Sequence, residues 1–296
     1  MSRLRPHPRT RRRPDRHPDH APARLRAITW SIAGTLAFLY LAFTVAAAWP
    51  GAQAAATGAA PSSGPTTAHT MLWASAVWLG LALPAWLMAG IAERAPAVGL
   101  RRMSARQLLA ASCAVFCLAE APMFFVSALF ALARTHSRTL TAYSGGSGGS
   151  TLLGDVASSI AAGISEEIVV LVLPVLLAWR IGEVLTGVRL RRRGLLVLVV
   201  ALTAVRLSYH LEYGLAAVPL APWAAISVLL YLRSRAVLPL MLGHAAFDVT
   251  LALVNRIAIR HGLAPAVTVF AVLTAVAFTT ALGLVPRVGR QLTRAA

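Results

Sequence analysis

Residues 161–179 read AAGISEEIVVLVLPVLLAW, an almost wholly apolar run interrupted by the adjacent glutamates Glu166 and Glu167. A run of about 20 apolar residues is long enough to cross a bilayer as a helix. A charge near the bilayer midplane costs about 2.5 to 3.5 kcal/mol on insertion scales, so such residues usually face a protein interior and have a function. This stretch therefore predicts a transmembrane helix that carries part of a functional site.

The rest of the chain has the composition of a polytopic membrane protein. It has 296 residues, of which 57% are hydrophobic and 13% are charged. The basic N-terminal segment is too long for a secretory signal peptide, so we expect the first apolar stretch to be retained. The sequence predicts an all-α transmembrane helical bundle in the cell membrane, with eight spans at 27–49, 71–92, 107–133, 152–179, 195–213, 215–232, 237–257 and 263–285.

The arginines predict the orientation of these spans. All 28 basic residues are Arg, and the net charge is +18. When the spans alternate in direction, 23 Arg lie on the side of the N-terminus, four lie on the opposite side, and Arg206 lies within a span. Because Arg-rich loops stay in the cytoplasm, both termini are predicted to be inside. We expect these arginines to face the anionic lipid of the bilayer and not to bind nucleic acid.

Composition also divides the chain into parts. Residues 1–26 are rich in Arg, Pro and His, which predicts a disordered cytoplasmic arm. Residues 144–150 read SGGSGGS, which predicts a flexible linker. The linker separates a three-span part, 27–143, from a five-span part, 151–296.

Further ionisable residues lie in apolar stretches of the five-span part. The fifth stretch ends AVRLSYHLEYG, in which Arg206 and His210 are four residues apart and share a helical face. The seventh contains GHAAFD, in which His244 and Asp248 have the same spacing. Adjacent glutamates point about 100° apart on a helix, so one is expected to do chemistry while the other is structural. Together, these residues predict a polar site shared by three helices.

The ordered set of motifs resembles the CAAX prenyl endopeptidase and bacteriocin-processing (CPBP, or ABI) family of intramembrane proteases. That family has E-E-x-x-x-R, F-x-x-x-H and H-x-x-x-N/D on separate transmembrane helices. The corresponding stretches here are EEIVVL at 166–171, RLSYH at 206–210 and HAAFD at 244–248. The resemblance covers about residues 152–256 and extends to the first three spans only in hydropathy.

Two positions depart from the family pattern. Leu171 stands where the family has Arg, and Arg206 stands where it has an aromatic residue. In the family, the second glutamate resembles a structural anchor paired with that Arg. We infer that Arg206 supplies the missing cation and pairs with Glu167 across two helices, because a buried carboxylate without a partner would protonate.

The resemblance implies an intramembrane endopeptidase acting on a membrane-anchored peptide or protein. Glu166 would act with His210 to activate a water molecule. His244 and Asp248 would stabilise the developing oxyanion or orient the groups that do so. Glu166, His210 and His244 could instead hold zinc with an open fourth position. The chain has no H-E-x-x-H motif, and we favour the glutamate-dependent site without a metal or other cofactor.

Two other classes of function stay open at this point. A non-catalytic CPBP-like scaffold that binds a partner protein is suggested by the absence of the motif arginine at Leu171. An ion or proton transporter is also consistent with intramembrane Glu, His and Asp, which often mark ion paths. Proteolysis that is lost on Glu166→Ala would separate the protease from both.

Overall fold

The computed structural model of the chain describes residues 23–57, 68–93, 99–100, 102–123, 126, 129, 151–186, 192–210 and 217–294. Nearly all of these residues are helical, and no β-strand occurs among them. The predicted linker at 144–150 lies outside the described residues, as does most of the predicted arm, residues 1–22.

Nine α-helices lie in the described part of the chain. They are α1 (Ala23–Thr57), α2 (Ala68–Ala92), α3 (Ala105–Val115), α4 (Leu152–Glu166), α5 (Leu173–Thr186), α6 (Arg192–Ser208), α7 (Leu220–Ser234), α8 (Leu238–His261) and α9 (Leu263–Arg294). Two π-helical turns interrupt this series: the first, Phe116–Glu120, follows α3, and the second, Glu167–Val172, joins α4 to α5.

Five described helical stretches have the length and apolar composition needed to cross a membrane. They are Arg24–Gln53, His69–Ala92, Leu152–Ile181, Leu238–His261 and Ala264–Gly283. Each overlaps one of the eight predicted spans. The remaining three predicted spans correspond to α3 with the first π turn, to α6 and to α7, which are shorter in the described residues.

Several helices extend beyond the predicted spans, and α1 and α9 do so by the most residues. Helix α1 continues past residue 49 through Pro50 to Thr57, and α9 continues to Arg294. The predicted limits at 49 and 285 marked only where the apolar composition ends. The residues that follow in α1 are largely Ala, which favours the helix whether or not it is in lipid.

The α4–α5 segment is the central helix of the fold. In its most apolar window 72% of the residues are buried, against 11% for α1 and 17% for α9. One apolar cluster joins it to α1, α2, α6, α7 and α8. A second cluster, around Phe116, Phe247 and Phe270, joins the π turn after α3 to α7, α8 and α9. Helix α8 contributes to both clusters and so lies between them.

Small residues let α8 approach two neighbours closely. A Cβ atom placed on Gly163 of α4 would lie only 2.5 Å from the backbone nitrogen of Ala245. One placed on Gly243 would lie 2.7 Å from a methyl carbon of Val115 in α3. Such contacts between glycine and a neighbouring helix are typical of helix packing in membranes.

Polar pairs join the helix ends. At one end, Trp30 Nε1 of α1 donates to Glu93 Oε1, after α2, at 3.2 Å, and Arg180 of α5 lies 3.7 Å from the same carboxylate. At the other end, Arg256 of α8 binds Asp155 of α4 through Nε at 2.9 Å and Nη2 at 2.6 Å. The sequence analysis did not single out Asp155, although it lies in the fourth apolar stretch.

Candidate functional site

The adjacent glutamates lie at the junction between α4 and the second π turn. Glu166 ends α4, and Glu167 begins the turn, about midway along the stretch Leu152–Ile181. The turn ends two residues before Pro174, and the N–H of Leu173 bonds to the carbonyl of Ile168, five residues back. Proline has no N–H and crowds the preceding turn, so a wider turn accommodates it.

Glu167 is held by side chains from two other helices. Arg206 Nη2 of α6 donates to Glu167 Oε1 at 2.5 Å, and His244 Nδ1 of α8 lies 3.0 Å from the same oxygen. All three residues are buried, with 1%, 2% and 4% of their surface exposed for Glu167, Arg206 and His244. The Arg206–Glu167 pair inferred from the sequence is therefore a contact in the structure.

Asp248 extends this network along α8. His244 Nε2 lies 3.4 Å from Asp248 Oδ2, one helical turn further on. This is longer than a usual N–H to oxygen hydrogen bond. The Asp248 side chain is 28% exposed, so it lies at the edge of the polar network.

Glu166 has a different set of neighbours. Tyr209 donates its hydroxyl hydrogen to Glu166 Oε2 at 2.6 Å, and Arg206 Nε lies 3.7 Å from the same oxygen. Tyr209 is almost fully buried, while Glu166 keeps 7% of its surface exposed. The family resemblance implies His210, and not Tyr209, as the partner of Glu166.

His210 lies just beyond the end of a helix. Helix α6 ends at Ser208, and the backbone N–H of His210 bonds to the carbonyl of Leu207, three residues back, at 3.1 Å. Arg206 therefore lies in the α-helix and His210 in the turn that follows it. His210 packs against Tyr209 with a centroid distance of 4.5 Å, and the charge of Glu166 acts on it.

Glu120, at the end of the first π turn, is a site residue that the sequence analysis missed. It is 1% exposed and accepts a hydrogen bond from the indole N–H of Trp223 in α7. The turn that carries it ends two residues before Pro122, as the second π turn does before Pro174. The sequence did contain a signal for it: Glu120 is an ionisable residue in the apolar stretch 107–133, and the cost of placing a charge in the membrane applies to it as it does to Glu166 and Glu167.

Trp223 joins Glu120 to the rest of the network. The guanidinium carbon of Arg206 lies 4.1 Å from the centre of the indole ring, within the range of a cation–π contact. The ring of His244 meets the same indole edge-on, with centroids 4.8 Å apart. One aromatic side chain therefore contacts both groups that bind Glu167.

Helix α1 also reaches the site. The hydroxyl groups of Tyr40 and Ser165 lie 3.0 Å apart, and Ser165 donates to the carbonyl of Ala161 at 2.6 Å. Both side chains are buried beside Glu166. The site thus draws residues from α1, from the first π turn and from the helices of the five-span part.

A zinc site is not visible among the described residues, where no group of three or more His, Cys, Asp or Glu side chains is placed to hold a metal ion. Glu166, His210 and His244 were the ligands considered for it. In the described contacts Glu166 binds Tyr209, and His244 binds Glu167. The arrangement is a network of ion pairs and hydrogen bonds.

Comparisons of the chain with protein-family models, with curated proteins and with solved structures found no match. A functional conclusion therefore depends on the chemistry of this network. The network can hold Glu167 rigidly and keep Glu166 within reach of a small exposed surface. It also places Asp248 at its edge, beside His244.

Proposed function

We propose that this protein is an intramembrane endopeptidase of the CPBP type, in which Glu166 acts with His210 to activate water. The observation that carries the proposal is the unequal environment of the two adjacent glutamates. Glu167 is 1% exposed and is held by Arg206 at 2.5 Å and by His244 at 3.0 Å. Glu166 is 7% exposed, accepts a hydrogen bond from Tyr209 and lies 3.7 Å from Arg206, beyond hydrogen-bond distance. This division favours a structural role for Glu167 and a chemical one for Glu166.

In the proposed reaction, Glu166 takes a proton from water as the water oxygen attacks the peptide carbonyl carbon. The carbonyl electron pair moves onto oxygen, and the tetrahedral oxyanion forms near His244. His244 Nε2 lies 3.4 Å from Asp248, which is longer than a usual hydrogen bond. In the proposed reaction the substrate oxygen takes the place of Asp248 as the acceptor from this nitrogen. The oxyanion electron pair then re-forms the C=O bond as the C–N bond breaks, and Glu166 gives its proton to the leaving amine, which leaves a carboxyl group on the other product. Fixed donors in a water-poor site stabilise such an oxyanion strongly.

We also infer that the chain crosses the membrane eight times with both termini inside. The excess of Arg on the N-terminal side, 23 against four, supports this orientation. The pairs at the helix ends are consistent with alternating directions: Trp30, Glu93 and Arg180 meet at the inner end, and Asp155 and Arg256 meet at the outer end. The proposed location is the cell membrane.

The proposal is tested with purified full-length protein reconstituted in liposomes with membrane-tethered reporter peptides. We expect cleavage at neutral pH by the wild type and none by Glu166→Gln. Glutamine keeps the shape of the side chain and can accept the Tyr209 hydrogen bond, but it cannot take the proton from water. Thermal unfolding should show that Glu166→Gln folds as the wild type does.

Glu93→Gln is the matched control, because it makes the same change at a partly buried glutamate away from the network. It should leave cleavage unchanged. Cleavage by Glu166→Gln at the wild-type rate would rule out the base role. Loss of wild-type activity with a chelator, restored by zinc, would move the proposal to a metal-dependent peptidase.

A second candidate is a non-catalytic membrane scaffold that binds a partner protein. It is favoured by the contacts of Arg206 with both glutamates, because each of these two buried carboxylates then has a cationic partner within the protein. Wild-type protein that cleaves no tethered peptide but binds one membrane partner specifically would support the scaffold. That result would contradict the endopeptidase.

A further inference from the structure

Glu120 is a buried carboxylate to which the proposed reaction assigns no role. It lies on the third apolar stretch, more than 40 residues before Glu166, and is 1% exposed. Its Oε1 accepts the indole N–H of Trp223. Its Oε2 is buried and has no hydrogen-bond partner among the described residues. Burying a carboxyl group costs free energy unless both of its oxygens are hydrogen-bonded. A role in packing alone would therefore not explain a glutamate at this position.

The indole ring that Glu120 binds is shared by the two partners of Glu167. The guanidinium carbon of Arg206 lies 4.1 Å from the centre of the ring. The imidazole ring of His244 makes a T-shaped contact with it, with centroids 4.8 Å apart. A rotation of the indole would therefore displace both residues. The N–H bond to Glu120 opposes that rotation, because it fixes the one polar atom of the ring.

Polarisation strengthens the same arrangement. A carboxyl oxygen that accepts the indole N–H polarises the ring and makes its face more negative, which favours a cation above it. Among the described residues of the network, Arg206 is the permanent cation, and it faces Glu166, Glu167 and the Trp223 ring. Glu120 thus acts on Arg206 through the ring, without touching it.

We propose that Glu120 is a positioning residue of this site, which acts through the indole ring of Trp223 on the Arg206 guanidinium and the His244 imidazole. Its effect on cleavage rests on the proposed endopeptidase function. Its effect on the position of His244 does not, so the two can be measured separately.

The test compares Glu120→Leu, Glu120→Gln and Trp223→Phe in full-length protein labelled with ¹⁵N-histidine and held in lipid nanodiscs. The imidazole resonances of His244 are assigned by their loss in His244→Gln. Glu120→Leu and Trp223→Phe each remove the hydrogen bond, and both should shift these resonances. Glu120→Gln keeps an oxygen that accepts from the indole, so it should leave them close to the wild-type positions.

Trp30→Phe is the matched control, because it removes the same kind of bond, from Trp30 to Glu93, at the end of the helices. It should not move the His244 resonances. If cleavage is observed, Glu120→Leu and Trp223→Phe should lower kcat roughly 100-fold with little change in KM, since small misplacements of catalytic groups have effects of that order. Glu120→Gln should retain most of the rate.

His244 resonances that stay in place in Glu120→Leu would overturn the proposal, and so would an equal shift in Trp30→Phe. If Glu120→Leu fails to fold, Glu120→Gln decides, because a His244 shift in Glu120→Gln as large as that in Trp223→Phe would also overturn the proposal. A wild type that cleaves nothing would contradict the endopeptidase and leave the resonance comparison valid as the test of positioning.

Discussion

Arg206 is the residue on which the polar network depends. It lies 2.5 Å from Glu167, 3.7 Å from Glu166 and 4.1 Å from the centre of the Trp223 ring. A guanidinium group suits this position because it is planar, weakly hydrated and able to donate in several directions while stacking on an aromatic ring. A lysine could not make the same set of contacts.

Removing Arg206 should destabilise the protein, and neutralising Glu167 should partly restore it. Arg206→Leu leaves Glu167 buried with His244 as its described partner, and breaking one side of a buried pair costs about 3 to 5 kcal/mol. In the double variant with Glu167→Gln, the Glu167 charge is gone and only Glu166 has lost its contact with Arg206, which accounts for the rescue being partial. We expect the apparent Tm to be lowest in Arg206→Leu and higher in the double variant, as measured by thermal unfolding in detergent.

The control for this cycle is Arg233→Leu, which changes an exposed arginine at the end of α7. Its Tm should stay near that of the wild type, because an exposed charge loses little when it is removed. Strictly additive Tm changes in Arg206→Leu and Glu167→Gln would mean that the two side chains do not stabilise each other.

The sequence predicted part of this residue-scale geometry. The Arg206–Glu167 contact could be inferred because Leu171 lacks the charge that the family motif carries and Arg206 has one in its place. The positions of Tyr209 and His210 could not, because they depend on where α6 ends. No glycine or proline directly follows Ser208 to mark that end in the sequence.

At the scale of elements, each buried glutamate discussed here accompanies a π-helical turn. Glu120 ends the first turn and Glu167 begins the second. A proline stands two residues after the last residue of each turn. A π turn inserts one extra residue into the helix, which changes the direction of the side chains around it. The turns therefore let a helix that must pack on apolar faces also direct a carboxylate inward.

The approach of α4 to α8 is the second feature at this scale. Gly163 is one helical turn before Glu167, and the backbone of Ala245 is next to His244. A Cβ on Gly163 would come within 2.8 Å of three Ala245 atoms, two of which belong to the backbone. The absence of a side chain at Gly163 therefore helps to bring His244 within 3.0 Å of Glu167.

Gly163→Ala should consequently push α8 away from α4. Overpacking of this kind costs about 1 to 3 kcal/mol, because a helix backbone cannot move aside as a flexible side chain can. We expect a lower apparent Tm and, in ¹⁵N-histidine spectra, a shift of the His244 resonances as its contact with Glu167 lengthens.

Gly80→Ala provides the comparison, since a Cβ at Gly80 of α2 would meet nothing within 4 Å. This substitution should leave the Tm unchanged or raise it slightly, because alanine favours the helix more than glycine does. A Gly163→Ala protein as stable as Gly80→Ala, with unmoved His244 resonances, would show that the close approach is not required.

For the whole molecule, the site is not confined to the five-span part. Tyr40 from α1 and Glu120 from the first π turn both lie in the network or directly beside it. Apolar patterning predicted where membrane-spanning helices occur, since that signal is local. It could not predict which helices meet at the site, because Glu120 and Trp223 are more than 100 residues apart in sequence.

The orientation of the whole chain can be tested with single cysteines in a background in which Cys113 and Cys117 are alanine. Ser104 precedes α3 and His261 ends α8, and both are exposed in the structure. With the N-terminus inside, His261→Cys should react with a membrane-impermeant maleimide on intact cells, and Ser104→Cys only after permeabilisation. The reverse pattern would place the N-terminus outside.

The number of crossings depends on α6 and α7. Helix α7 has 15 residues and is about 22 Å long at 1.5 Å per residue, less than the roughly 30 Å of the hydrocarbon core. With the turn before it, the stretch 217–234 reaches about the 17 residues that a short span needs. Val218 in that turn is 59% exposed. Eight crossings predict that Val218→Cys reacts from outside, as His261→Cys does. If Val218→Cys is protected on both sides while His261→Cys reacts, α6 and α7 turn back within the membrane, and the chain crosses six times.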